Sequence, residues 1–252
     1  SMPYAQLHYP FENKEFFEKN FPADFITEGD QTRGWFYTLT VLATALFDKP
    51  AFKNVISFGN IVGENGKKLS KRLKNYVDPY EAFNTYGSDT IRWLLLRSPV
   101  VRCEEFAISQ DGKDMKEILR TCIKPILNSY NFFCLYANSD GIKAEKSFSS
   151  KNIMDRYILS KLKETVENIE KYMDKYEIGN ACRESENFFE ILNNWYIRRN
   201  KNRFWKSEID QDKQDAYNSL YTVLITMCES IASILPFTSE YIWKGLNGSN
   251  SL

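Results

Sequence analysis

Lys67, Lys68, Lys71, Arg72 and Lys74 fall within eight consecutive positions, preceded by Gly63 and Gly66 and interleaved with Leu69 and Ser70. Ammonium groups on a glycine-hinged loop suit a polyphosphate: glycine permits unusual backbone angles, and lysines neutralise charge that develops on phosphate oxygens. The chain holds 33 basic and 33 acidic residues, so no global field draws a polyanion and any such site must be local. The plainer alternative is a solvated lysine-rich turn. His8 is the only histidine and sits in LHYPF, among proline and aromatics. Paired-histidine zinc motifs are therefore excluded, and His8 reads as a structural or surface residue. The five cysteines are scattered, odd in number and form no C-x-x-C pair, which argues against a disulfide framework and a thiolate zinc site. A reducing, cytoplasmic setting is expected, and no metal-ligating residues are expected. Chemistry here must rest on positioning and electrostatics. A second cationic group lies at residues 195–206, where Arg198, Arg199, Lys201, Arg203 and Lys206 alternate with Trp195, Tyr196, Phe204 and Trp205 without an acid. Such a segment binds RNA phosphates and stacks bases, or packs its rings inward while the basic heads reach water.

These residues need elements to hold them. A chain of 252 residues with 43% hydrophobic content forms one large domain or two ordinary ones. Residues 1–137 mix strand-like runs such as KNVISFG with helical stretches, and Trp35, Leu39, Leu42 and Leu46 are expected on one helix face. This part reads as α/β. Residues 137–152 are polar, rich in glycine and serine and without periodicity, so they read as a linker or long loop. From 153 onward the period becomes helical. Ile158, Leu162, Val166, Ile169 and Met173 form one stripe; Leu220, Leu224, Met227, Ile231 and Leu235 form another, with Pro236 expected to stop that helix. The organisation expected is α/β for 1–137 followed by an all-α antiparallel bundle for 138–252. No apolar run approaches the roughly 20 residues a membrane span needs, and the first residues show no basic-then-apolar leader.

The string Lys68, Leu69, Ser70, Lys71, Arg72 followed by LKNYVDP resembles the KMSKS loop of class I aminoacyl-tRNA synthetases. FPADFITEGDQTRGWFYTL, residues 21–39, resembles the segment of the isoleucyl branch that holds the aminoacyl-adenylate. Further likeness runs through SMPYAQLHYPFE, YGSDTIRWLLLRSPVVR, NWYIRRNKNRFWKSE and ILPFTSEYIW, and the first and second of these lean toward the eukaryotic-type branch. The resemblance implies the second half of a Rossmann-like catalytic domain joined to a helical anticodon-binding domain. It implies Lys71 as the principal ATP contact and catalytic group with Lys68 as its partner, and ATP binding along 68–72. It places Glu28, Gly29, Asp30 and Gln31 against the adenylate, with Trp35 walling the isoleucine side chain. It implies ATP with Mg²⁺, isoleucine and tRNA(Ile) as substrates and partners, a monomer, and no membrane; Trp195, Arg198, Arg199 and Arg203 would meet the anticodon arm.

Two departures stand out. The family places one residue between the glycine and the aspartate, whereas Gly29 and Asp30 are adjacent here, which shortens that loop. The early His-x-Gly-His segment cannot exist in a chain with one histidine, and the editing domain has no room. The chain is thus expected to be an incomplete ligase, inactive alone. A valyl-type synthetase and a non-catalytic tRNA-binding module stay open as alternatives.

Overall fold

The structure is a computed structural model describing residues 2–70, 72 and 75–248. It divides into two compact units, one of Ser1–Val62 with Pro99–Phe106, the other of Gly63–Ser98 with Ala107–Leu252.

The first unit opens with the short helices α1 (Met2–Gln6) and α2 (Lys14–Asn20) and is built on a β-α-β turn of chain: β1 (Ala23–Glu28), α3 (Trp35–Phe47) and β2 (Phe52–Ser57). β1 and β2 pair in parallel, Ile26 opposite Val55 and Glu28 opposite Ser57. Parallel strands need a long crossover, and α3 supplies it. Ile26, Leu39, Ala43 and Ala51 are buried together, with Tyr4, Phe21, Phe36 and Phe52 packed around them. The expected stripe on α3 is rotated. Leu39 is buried as anticipated, but Leu46 is 62% exposed and Trp35 40% exposed, while Ala43 is fully buried. The reason is aromatic: Phe47 turns toward the rings of Tyr4, Phe17 and Phe21, with centroids 5.5, 5.2 and 4.9 Å away, and rotates the helix to reach them. Phe25 and Val55 remain 50% exposed on the paired strands, an unusual state for parallel sheet.

In the second unit, α4 (Pro79–Tyr86) begins where Asp78 accepts the Tyr80 N–H at 2.8 Å with Pro79 following it. α5 (Ser88–Arg97), α6 (Lys113–Ile118) and α7 (Lys124–Asp140) follow, the last two joined through a π-helical turn at Leu119–Ile123. The bundle comprises α8 (Ile153–Asp174), α9 (Ile178–Glu190), α10 (Arg198–Trp205), α11 (Gln211–Ile231) and α12 (Pro236–Asn247), with a π-helical stretch Ile191–Ile197 between α9 and α10. Most of the periodic stripes is core: Ile158, Leu162 and Ile169 on α8, and Leu220, Leu224, Met227 and Ile231 on α11, are all at most 3% exposed, while Val166 and Met173 on α8 are half-buried.

Two expectations shift. α11 ends at Ile231, and Pro236 starts α12, where its missing N–H costs nothing. The stretch expected as a linker is pinned to α11: Glu145 N–H donates to Asn218 Oδ1 at 2.9 Å and Ser147 N–H to Thr222 Oγ1 at 2.8 Å. The polar composition of this stretch reflects hydrogen bonding to a helix flank. No described helix is long and apolar enough to cross a membrane.

Candidate functional site

The adenylate-type segment lies at the end of β1 and the head of α3, within the first unit. Glu28 is half-buried, and its carboxylate accepts the Gly29 N–H at 3.0 Å. Asp30 then closes a tight turn by accepting both the N–H and the hydroxyl of Thr32, at 3.1 and 2.8 Å. Those bonds from Thr32, hydroxyl first, favour its charged form and hold its carboxyl below the usual range. Gln31 folds back onto the helix: its Oε1 accepts the Trp35 N–H at 3.2 Å, one of the amides an N-terminus leaves unsatisfied. Gly34 makes this possible, because a Cβ there would overlap Gln31 Oε1. The side-chain oxygen of Gln31 is thus a helix cap, and its NH₂ is what it retains for a ligand. Trp35 borders an apolar cavity of about 300 Å³ shared with Tyr4, Phe25, Ile26, Leu39 and Phe52.

The basic loop lies in the second unit. Its root is a closed turn: Gly63 N–H donates to the Lys67 carbonyl at 2.9 Å, Gly66 N–H to the Gly63 carbonyl at 2.8 Å, and Gly66 adopts φ 69°. Lys67, Lys68 and Arg72 are exposed, while Leu69 and Ser70 are half-buried. Lys71 and Lys74 lie outside the described residues. Asn75, which sequence reading passed over, is buried beneath this segment.

Residues 195–206 separate into two chemistries. Arg198 and Arg199 are exposed. Trp195 is half-buried, its ring 4.5 Å from that of Tyr157 and covered by Arg199, whose Cζ lies 5.2 Å from the ring centroid. Trp205 is 53% exposed beside Lys201, and Tyr196 and Phe204 are core. Arg203 corrects an expectation. Its side chain is only 12% exposed and forks onto Asp155, itself fully buried, at 2.7 and 2.8 Å, with Nε donating to Asp212 at 3.0 Å. Tyr196 also donates to Asp155, at 2.6 Å. A buried carboxylate demands this pairing, so Arg203 is a bundle-holding residue and its donors are not free for RNA.

All five cysteines are free thiols, and among the described residues no group of three or more His, Cys, Asp or Glu is placed to hold a metal ion.

Residues 1–107 match the tRNA synthetases class I family (I, L, M and V), and residues 155–252 match the anticodon-binding domain of tRNA ligase. Residues 1–107 are thus similar to a class I tRNA synthetase domain and residues 155–252 to an anticodon-binding domain. It is 56% identical over 248 residues to an isoleucine–tRNA ligase of Rickettsia africae and 57% identical over 247 residues to one of Rickettsia bellii, covering 98% of this chain in each case. It spans 23% and 22% of the length of those two relatives. Two solved structures share the fold at 18% identity. Mycobacterium tuberculosis methionyl-tRNA synthetase in complex with methionyl-adenylate has a TM-score of 0.77 over 94% of this chain and 47% of that one. An Agrobacterium radiobacter LeuRS in ternary complex with tRNA and LeuAMS has 0.73 over 99% and 31%. The chain thus shares with these solved structures an α/β part followed by a helical part, in the expected order.

Proposed function

We propose that this chain is the part of an isoleucine–tRNA ligase that contributes the ATP loop, one wall of the amino-acid pocket and the anticodon-binding bundle. The carrying observation is the apolar cavity bordered by Trp35, in a segment 56% identical to isoleucine–tRNA ligases. An indole face and the aliphatic and aromatic side chains around it bury a branched hydrocarbon.

In this reading the carboxylate of isoleucine attacks the α-phosphate of ATP and pyrophosphate leaves; the adenylate then esterifies the terminal ribose of tRNA(Ile). Charge builds on phosphate oxygens, so Lys68 and Lys71 act as preorganised cations, with the backbone along 68–72 against the nucleotide. Glu28, Gly29, Asp30 and the NH₂ of Gln31 would meet the adenylate. Because Glu28 and Asp30 already bind the backbone of their own loop, they enter as shaped acceptors and not as bases. The loop offers cations in place of a carboxylate cluster, so Mg²⁺ would arrive with the triphosphate and supply further charge neutralisation. Arg198 and Arg199 would take phosphates of the anticodon arm, beside the rings of Trp195 and Trp205. The exposed apolar side chains of β1 and β2 suit completion of the sheet by strands of the longer parent protein.

The test is isoleucine-dependent ATP–pyrophosphate exchange by the parent protein, with valine as competitor. Exchange with isoleucine far above valine supports the reading. Preference for valine would assign the chain to the valyl type, and no exchange with either would leave an RNA-binding module.

A further inference from the structure

Asn75 is polar, carries no charge, and is only 9% exposed beneath a loop of cations. Its carboxamide joins both ends of the segment 68–70: Oδ1 accepts the Ser70 N–H at 2.9 Å, and Nδ2 donates to the Lys68 carbonyl at 3.2 Å. A primary amide presents a neutral acceptor and a neutral donor in one plane, so it takes the place of a peptide unit that a regular strand neighbour would supply. The opposite side of the loop is closed separately, with Asn65 Oδ1 accepting the Lys67 N–H at 3.0 Å and Gly63 donating to the Lys67 carbonyl at 2.9 Å. Gly63 is also what admits Asn75, because a Cβ at that position would stand 2.9 Å from Asn75 Nδ2 and 3.1 Å from its carbonyl oxygen.

Like charges on neighbouring side chains repel. A loop held only by its root would spread. We propose that Asn75 is a positioning residue: it holds the backbone of 68–70 in one geometry so that the Lys68 ammonium is already placed where phosphate charge develops. The inference rests on the ATP-activation reading above. Asn75 touches no reacting atom in this account and acts through Lys68. Displacing a catalytic cation by about 1 Å costs up to about 100-fold in rate.

The experiment uses the full-length parent with Asn75→Ala, Asn75→Asp, Lys68→Ala and the Asn75→Ala/Lys68→Ala double variant. Each is measured for pyrophosphate exchange, for isoleucine KM and for single-turnover transfer from preformed isoleucyl-adenylate to tRNA. Asn75→Ala is expected to lower kcat for exchange by about 10- to 100-fold, with isoleucine KM and the transfer rate near wild type. In the Lys68→Ala background the same substitution should cost less than about 3-fold, since two residues acting through one contact are not additive. Asn75→Asp keeps the size and the acceptor for Ser70 but loses the donor to Lys68. It guards against a fold defect in the alanine variant and should lose exchange while transfer is retained. Full additivity of the double variant, equal losses in exchange and transfer, or unchanged exchange in both Asn75 variants would each overturn the inference. Absence of exchange in the wild-type parent would instead sink the activation reading on which it stands.

Discussion

Arg198 and Arg203 lie on one short helix and have opposite environments. Arg198 and its neighbour Arg199 are exposed, Arg199 lying over the Trp195 ring; Arg203 is folded onto Asp155 and Asp212. Arg203→Ala should therefore destabilise the protein by about 3 to 5 kcal/mol, because it leaves a carboxylate buried without its partner. Chemical denaturation of this chain measures it, and a loss below about 1 kcal/mol, the level of an exposed pair, would show that the fork is dispensable. Arg198→Ala and Arg199→Ala should leave unfolding nearly unchanged and each lower the logarithmic salt slope of tRNA binding by about 0.9. Equal slopes for wild type and both variants, with folding intact, would remove RNA contact from this helix. At the loop, Lys71→Ala in the parent should slow adenylate formation by on the order of 100-fold, the loss of one preorganised donor, with isoleucine binding little changed. Normal activation in that variant would reduce the loop to a solvated turn.

Among the elements, α7, α8, α10 and α11 are tied by charge as well as by apolar stripes. Lys213 on α11 is fully buried and reaches Asp140 on α7 at 2.6 Å, and Tyr217 donates to the same carboxylate at 2.6 Å. Burial alone would raise the Asp140 carboxyl, but the bonds from Lys213 and Tyr217 outweigh it and hold it low. Asp212 follows the same pattern, with burial opposed by Arg203 and Asn152. A carboxyl depressed in the folded state stabilises above its unfolded value, about 3.9 for aspartate, and that stability is lost as pH falls through the folded values. The melting temperature should accordingly stay level from neutral pH to about pH 5 and drop below about pH 4. Asp140→Asn with Asp212→Asn should flatten that acid limb at the expense of neutral stability. An acid limb of unchanged steepness would place the titration elsewhere.

For the whole molecule, the expected outcome is that the purified 252-residue chain shows no isoleucine-dependent pyrophosphate exchange. The single histidine rules out a His-x-Gly-His segment on this chain, and the two parallel strands expose apolar side chains that a complete nucleotide fold would cover. Exchange persisting in a preparation free of host enzyme would contradict this. Binding of tRNA by the bundle is separable from that failure, since α8 and α11 carry their own buried core.

The basic loop, the helical stripes of α8 and α11, and the order of α/β before all-α were legible in the chain because each is written in contiguous residues with a fixed period or spacing. Ile158, Leu162, Leu220 and Leu224 needed only the helical repeat to be placed inside. What contiguous residues could not decide was which cation is spent internally. Arg198 and Arg203 have equal charge and like neighbours, and only the approach of Asp155, 48 residues earlier, buries one of them. The rotation of α3 depended likewise on rings gathered from Tyr4, Phe17 and Phe21, and the ordering of 137–152 on a flank of α11 more than 70 residues later. Asn75 reads as one more polar residue after a basic run until the chain doubles back and sets its amide under Lys68 and Ser70. Local patterning specifies which faces must be covered; which partner covers each is a property of chain closure, and closure exists only in three dimensions.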